Sequence, residues 1–380
     1  MTFALTGEQI AIRDMARDFA RARIEPHALE WDEQKTFPVE TFREAAGLGM
    51  AGIYVREDVG GSGLTRLDAA LIFEALATGC PCVSAYLSIH NMCSWMIDAY
   101  GSGEQRQRWL PMLMRMDRLA SYCLTEPGSG SDAAALTTRA DKQGDHYVLN
   151  GQKSFISGAG NPHDFYIVMV RTGEAGPRGI SCLVVEGGTK GVYFGKNERK
   201  MGWHAQPTRS VIFEDARVPV ANRLGAEGEG FRIAMAGLDG GRLNIGACSL
   251  GGGEAALEKA LNYMAERKAF GRRLDQFQAL QFRLADMATE LEAARSFIWR
   301  AAAAQDAGAQ DATQLCAMAK RVATDAGFKA ANDALQLLGG YGYLAEYGIE
   351  KIVRDLRVHQ ILEGTNEIMR LIVARELVGR

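Results

Sequence analysis

The chain has 380 residues, 47% hydrophobic and 23% charged, with a formal net charge of −3. That profile is one of an ordinary soluble globular protein with two or three domains, and it excludes a nucleic-acid binder, which would carry a basic field. The longest apolar runs fall far short of a bilayer span, so no membrane partner is expected.

Seven cysteines, an odd number without a C-x-x-C pair, argue against a disulfide framework or a zinc site and for reduced, buried thiols. The six histidines show no H-x-x-x-H spacing, and no metal is expected. The N-terminal run Met1 to Glu8 lacks the basic and apolar regions of a secretion signal, so the expected location is cytoplasmic, or at least unsecreted.

Residues 1–118 read as a helical domain. Thr6 followed by Gln9 is a capping box, and Ile12, Met15, Ala16 and Phe19 recur at helical spacing. Pro26 and Pro38 bracket breaks, Gly60 to Gly63 is a loop, and Leu71 with Phe73 to Leu76 begins a second apolar helix. Near residue 119 the texture changes. His146 to Leu149 and Lys153 to Ile156 flank Asn150-Gly151, which predicts a hairpin. Phe165 to Val170, Ile180 to Val185 and Ser210 to Phe213 are short strand-like runs, and Pro219 ends the last segment. Residues 119–228 therefore read as a small antiparallel, barrel-like β-domain. In residues 229–380 the helical period returns, with Phe282, Met287, Leu291 and Ile298 roughly on one face of a long helix. Helices, strands, helices make an α+β, mainly α, protein and not the alternating pattern of a doubly wound dinucleotide fold.

Five stretches carry candidate chemistry. Thr125-Glu126-Pro127-Gly128-Ser129-Gly130-Ser131-Asp132 can bring backbone and hydroxyl donors close to a ligand, although a surface turn explains it equally. It is neither a P-loop nor a Rossmann fingerprint. Gln336-Leu337-Leu338-Gly339-Gly340-Tyr341-Gly342-Tyr343 ends a helix with more glycine than a cap requires. Arg267 to Arg273 is a basic loop that would suit a pyrophosphate. Asp239-Gly240-Gly241-Arg242 places two glycines inside a helix, at a cost of roughly 1 kcal/mol each against Ala. In Ile361-Leu362-Glu363-Gly364-Thr365-Asn366-Glu367, Glu363 could cap a helix or, if desolvated, act as a base, and dipole compensation suffices for Glu367.

Four of these stretches, at 125–132, 267–271, 336–343 and 363–367, occur in one order along the chain together with Asn-Gly-Gln-Lys-Ser-Phe-Ile-Ser at 150–157. The ordered set resembles the acyl-CoA dehydrogenase family over nearly the whole length. The resemblance implies a helical N-terminal domain, a middle β-domain and a C-terminal four-helix bundle. It also implies non-covalent FAD, electron-transfer flavoprotein as redox partner, and a homotetramer (a dimer of dimers) in which a neighbouring subunit completes each FAD site.

Carried across position by position, Glu363 takes the place of the catalytic base. Tyr122, Cys123, Leu124, Thr125, Gly130 and Ser131 match the flavin-contacting strand and turn, with Ser131 also near substrate. Phe155, Ile156 and Ser157 match the segment against the flavin ring; Arg267, Phe277 and Gln278 match the pyrophosphate and adenosine contacts. Gln336, Leu337, Gly339 and Gly340 match the contact from the partner subunit, and Thr365, Asn366 and Glu367 the last FAD segment. Asp239 and Arg242 match the pair that meets CoA, and Gly364 and Arg375 the surroundings of the substrate. Some members place the base near 239–242, but Gly240 and Gly241 offer no carboxylate. Leu362 stands where many members carry tyrosine, which alters one wall of the acyl pocket.

Arg-Val-His-Gln-Ile-Leu-Glu-Gly-Thr-Asn-Glu at 357–367 and Gly-Trp-His-Ala-Gln-Pro-Thr-Arg at 202–209 are most similar to members acting on isobutyryl-CoA. The implied reaction is isobutyryl-CoA to methacrylyl-CoA, a step of valine catabolism. His204 and Asp239 depart from the asparagines expected there. 2-Methylbutyryl-CoA or a short straight-chain acyl-CoA are alternative substrates. An oxidase relative and a non-catalytic flavin or CoA binder are alternative classes.

Overall fold

The computed structural model describes residues 4–379, so Met1 to Phe3 of the leader reading lie outside the described residues. Helix α1 (Gly7–Phe19) opens on the capping box. Thr6 Oγ1 accepts from the Gln9 amide at 3.2 Å, and Gln9 Oε1 accepts from the Thr6 amide at 3.1 Å. A single turn containing Pro26 precedes α2 (Ala28–Gln34), and Pro38 directly precedes α3 (Val39–Gly47). Helices α4 (Arg66–Gly79) and α5 (Pro81–Tyr100) are buried along most of their length, and α6 (Gly103–Met114) closes this stretch.

The strands are β1 (Ala120–Cys123), β2 (Arg139–Gln143), β3 (His146–Ser157), β4 (Phe165–Arg171), β5 (Ile180–Glu186), β6 (Val192–Phe194), β7 (Thr208–Pro219) and β8 (Arg223–Leu224). They form one sheet in the order β6-β7-β3-β2-β4-β5-β8, with β1 beside β4. Most pairings are antiparallel, as expected; β1–β4 and the single β2–β4 link are parallel. Strand β4 reads as a continuous apolar run because both of its faces are covered. Phe165, Ile167 and Met169 pack with α5 and α6, while Tyr166, Val168 and Val170 pack on the opposite face with β3 and β7.

The predicted hairpin at Asn150-Gly151 is not there. Strand β3 runs straight through it, and the chain reverses earlier, at Gly144-Asp145, where Gln143 pairs with His146 and Gly144 takes φ 63°. Asn150-Gly151 instead marks an irregularity in the β3–β7 register, and Asn150 exchanges hydrogen bonds of 2.9 Å with Asp215. A bulge and a hairpin both favour this dipeptide, and the adjacent Gly-Asp pair satisfies the two-residue turn first.

Helix α7 (Gly230–Glu266) is followed by the two-residue strands β9 (Lys268–Ala269) and β10 (Arg272–Arg273), then α8 (Gln278–Asp306), α9 (Ala312–Leu338), α10 (Ile349–Arg357) and α11 (Asn366–Val378). Helices α7, α8 and α9 pack against one another and α11 against α9. On α8, Met287, Leu291 and Ile298 are buried, but Phe282 is 60% exposed. A five-residue step turns the helix about 140° past a full turn, so Phe282 cannot share their face. Among the described residues no helix is long and apolar enough to cross a membrane.

The crossings at α7 depend on missing side chains. A Cβ on Gly251 would lie 2.0 Å from the Glu74 carbonyl oxygen of α4, and one on Gly327 of α9 would lie 2.3 Å from that of Ser249. Gly251→Ala should therefore destabilise the fold by about 1–3 kcal/mol through forced separation of α4 and α7, read by denaturant titration. An unchanged midpoint would show that this crossing tolerates bulk.

Candidate active site

Glu363 lies in the short link between α10 and α11, next to Gly364. Both hold left-handed backbone conformations, φ 57° and 87°. For a non-glycine residue this costs roughly 1–3 kcal/mol, so the surroundings must impose it. Although the residue as a whole is half-buried, its Oε2 is sealed from solvent and has no hydrogen-bond partner. The side chain points at α7, where a Cβ on Gly241 would sit 2.5 Å from Oε2. That contact accounts for the glycine inside the helix: any larger residue would occupy the place of the carboxylate. Gly240 likewise makes room for the Arg66 guanidinium, which stacks on Tyr54 at 3.7 Å and Trp95 at 4.7 Å.

Burial pushes the Glu363 carboxyl up to about 7, against the opposing pull of Arg242 and Lys320. Arg242 is held by Asp239 at 2.5 Å, and Asp239 in turn accepts from Thr313 at 2.8 Å. The Tyr122 hydroxyl on β1 is also buried without a partner, and the nearby Glu363 adds to the effect of burial in raising it. Two unpartnered polar atoms facing one region mark a place prepared for a polar ligand.

The glycine-rich turn after β1 is built on a buried ion pair that the sequence reading passed over. Glu126 accepts from Lys153 Nζ at 2.8 Å, from the Thr137 and Thr138 amides at 2.7 and 2.9 Å, and from Thr137 Oγ1 at 2.8 Å. Burial alone would raise this carboxyl, but Lys153 and these donors bring it to about 2. Lys153 also donates to the Leu124 carbonyl, and the Ser154 amide to that of Thr125. This clamp fixes the register shift in β3 between Lys153 and Ile156, where Phe155 takes φ 58° and stands 67% exposed. A bulge of this kind re-aims a side chain, here an aromatic ring turned out of the sheet. Gly128 and Gly130 have open space where a side chain would be, and Ser131 is exposed beside them. A flat ring against Phe155 and a charged group over the turn both fit these features, so the residues suit FAD.

Not every expected contact is available to a side chain. Cys123, Leu124 and Ile156 point into the core and could meet a cofactor only through backbone. Asn366 is buried and bonded to Thr324 and Asp325 of α9, while Thr365 caps α11 by accepting from the Ile368 amide. Glu367 is exposed, and Ser157 is half-buried. Arg375 is exposed, roughly 13 Å along α11 from Asn366, and no hydrogen bond ties it to Glu363.

A second group gathers elsewhere. Arg267, Leu337, Gly339 and Gly340, with Tyr263 and Tyr341, line a cavity of about 400 Å³. Phe277 lies under the Arg272 guanidinium at 3.9 Å, and Gln278 and Gln336 are exposed. Arg242 and Arg267 are separated by the length of α7 between them, about 37 Å at the helical rise. The chain therefore carries two half-sites far apart along one helix, one about a third of the way into α7 and one at its C-terminal end.

Lys153, Glu126 and Lys320 carry the site without having been singled out from sequence. Lys320 had a signal: it shares a helical stripe with Cys316 and Ala323, both buried. Among the described residues no cluster of histidine, cysteine or acidic residues could hold a metal.

The chain matches the acyl-CoA dehydrogenase N-terminal domain over residues 6–117, the middle domain over 121–216 and the C-terminal domain over 228–378. It is 57% identical over 377 residues to the mitochondrial isobutyryl-CoA dehydrogenase of Bos taurus, spanning 99% of this chain and 90% of that one. Butyryl-CoA dehydrogenase from Megasphaera elsdenii superposes with a TM-score of 0.96 at 39% identity, covering 100% of both chains. A chain from a structure of the electron transferring flavoprotein of Acidaminococcus fermentans superposes at 0.97 with 40% identity, again covering 100% of both. With all three domain signatures in order around a buried carboxylate, the chain belongs to the acyl-CoA dehydrogenase family.

Proposed function

We propose that this protein removes two hydrogens from a short, branched acyl-CoA, isobutyryl-CoA first among them, with Glu363 as the base. The observation that carries this reading is the desolvated, unpartnered Glu363 carboxyl with its pKa near 7. A base tuned near the working pH takes a proton efficiently while remaining available as carboxylate. The 57% identity to the bovine isobutyryl-CoA dehydrogenase supports the choice of acyl group.

Glu363 takes the proton from the carbon beside the thioester carbonyl, and backbone amides polarise the carbonyl oxygen as enolate charge develops. FAD, when bound, supplies the acceptor for the hydride that leaves the adjacent carbon. The Thr125–Ser131 turn and Phe155 hold and orient that cofactor, and the Asp239–Arg242 pair meets the CoA portion. Gly241 leaves the carboxylate room, and Met92 Sδ packs against the same position of α7. Electron-transfer flavoprotein is the redox partner in this reading, supported by the superposition reported above.

The reading includes a homotetramer. Its support is that Arg267 lies about 37 Å along α7 from Arg242, where the substrate would sit, so the Arg267–Gly340 cluster is read as serving a neighbouring subunit. The functional units are 1–118, 119–228 and 229–380. Seven free, buried thiols support an unsecreted, cytoplasmic location.

Because Glu363 must be ionised to act and its pKa is raised to about 7, kcat/KM should rise with pH through an ionisation near neutrality and level off above it. A profile flat from pH 5 to 9 contradicts a base tuned in this way. Glu363→Gln should retain FAD yet slow flavin bleaching by isobutyryl-CoA by roughly 10²–10⁴-fold. In the same assay with wild-type protein, isobutyryl-CoA should bleach faster than 2-methylbutyryl-CoA and butyryl-CoA. Butyryl-CoA leading both branched thioesters would overturn the acyl assignment.

A further inference from the structure

Lys320 projects from α9 and is wholly buried. Its Nζ donates to the Gly364 carbonyl at 2.8 Å and to Asn366 Oδ1 at 3.0 Å. No carboxylate lies within ion-pairing distance of it among the described residues. A buried, unpaired cation is costly by several kcal/mol, and a neutral amide could supply the same two hydrogen bonds. The charge therefore calls for an electrostatic counterpart, and Glu363 is buried and unpaired just across the Gly364 peptide.

From this arrangement we infer that Lys320 is the positioning residue of the base: it pins the Glu363–Gly364 turn and favours the ionised carboxylate. The inference rests on the reading of Glu363 as base.

The groups around Glu363 leave Lys320 distinctive. From α5, Cys93 faces it, and from β1, Tyr122; burial raises both, so both are neutral near pH 7. His359, in the turn after α10, is pushed down to about 3 by burial and shares a 2.7 Å hydrogen bond with Ser249, so it too is neutral. Arg242 on α7 favours the Glu363 carboxylate more strongly than Lys320 does and donates through Nε to the Glu363 backbone carbonyl at 3.4 Å, but its charge is already held by Asp239. Lys320 itself is lowered by burial to about 8, with Glu363 opposing the fall, Arg242 adding to it, and Asp325 and the exposed Glu367 opposing it more weakly. Near neutrality, Lys320 is thus the one cation facing Glu363 that no other acid neutralises, among the described residues.

Thr324 and Asp325 extend the same rail on α9. Asn366 Nδ2 donates to Thr324 Oγ1 at 3.1 Å and to Asp325 Oδ1 at 2.8 Å. Gln360 Nε2 donates to that same Asp325 oxygen at 2.8 Å. The link carrying Glu363 is tied to α9 before and after the base, with Lys320 between.

The test compares wild-type, Lys320→Gln, Lys320→Met and Lys320→Arg holoenzymes by the pH profile of flavin bleaching, with FAD content as the folding control. Lys320→Gln and Lys320→Met should move the alkaline-rising limb upward by about one pH unit, about a fivefold loss at pH 7. Lys320→Arg, which keeps the charge, should leave the limb near its wild-type position. Neutral variants that retain FAD and keep the wild-type limb overturn the inference. Loss of FAD in both neutral variants with Lys320→Arg intact also overturns it, because the residue would then serve only the fold. A wild-type enzyme with no limb refutes the base itself, which separates that failure from a failure of Lys320.

Discussion

The structure turns on the cost of keeping one carboxyl group dry. Glu363 sits in a left-handed turn, without a hydrogen bond to Oε2, against a helix that must be glycine at the point of contact. Each of these conditions opposes stability. Together they leave a carboxyl that ionises near neutrality instead of in the ordinary acidic range. Strain and desolvation of this kind persist only where the neighbouring structure over-determines them. Here α7, α9 and the capped start of α11 do so.

Opposite charges in the same interior are handled in two ways. Glu126 and Lys153 meet directly, and further donors saturate the carboxylate, so this pair acts as a clamp that shapes the glycine-rich turn and turns Phe155 outward. The Glu363 carboxylate and the cations around it do not meet, although Arg242 Nε reaches the Glu363 backbone carbonyl at 3.4 Å. Arg242 is engaged by Asp239, and Lys320 by a backbone carbonyl and an amide. A direct ion pair would lock Glu363 as carboxylate and, in the role proposed for it, draw it away from substrate. Separation by one peptide tempers its ionisation while leaving its lone pairs free. Removing one partner from the clamp would strand a buried charge, whereas on the inference drawn above removing Lys320 would change chiefly how readily Glu363 ionises.

Much of this was legible in sequence, and the limits have physical causes. The Thr6–Gln9 capping box works through local spacing and could be read directly. The ordered motifs singled out Glu363, the turn at 125–132 and the basic loop at 267–273, which the structure places between α10 and α11, after β1 and between α7 and α8. Asn150-Gly151 misled because a bulge and a hairpin call for the same dipeptide; only the β3–β7 register separates them. Phe282 misled because an approximate period let a residue on the wrong side of α8 join the buried set. Glu126, Lys153 and Lys320 were invisible as partners because their contacts join residues 27 to 46 positions apart, across strands or helices. In sequence the glycines at 240 and 241 read only as a cost to the helix; their reason lies in Arg66 and in Glu363, both far away in sequence.

The protonation state of Glu363 in the ligand-free holoenzyme is the most direct test. Infrared difference spectra of wild-type against Glu363→Gln protein isolate the carbonyl stretch of a protonated carboxylic acid as pH is varied. A desolvated, unpartnered carboxyl requires that acid band to be present at pH 6 and to fade around pH 7. A spectrum showing only carboxylate at pH 6 would mean that the side chain is solvated or paired, contradicting the burial on which the chemistry rests.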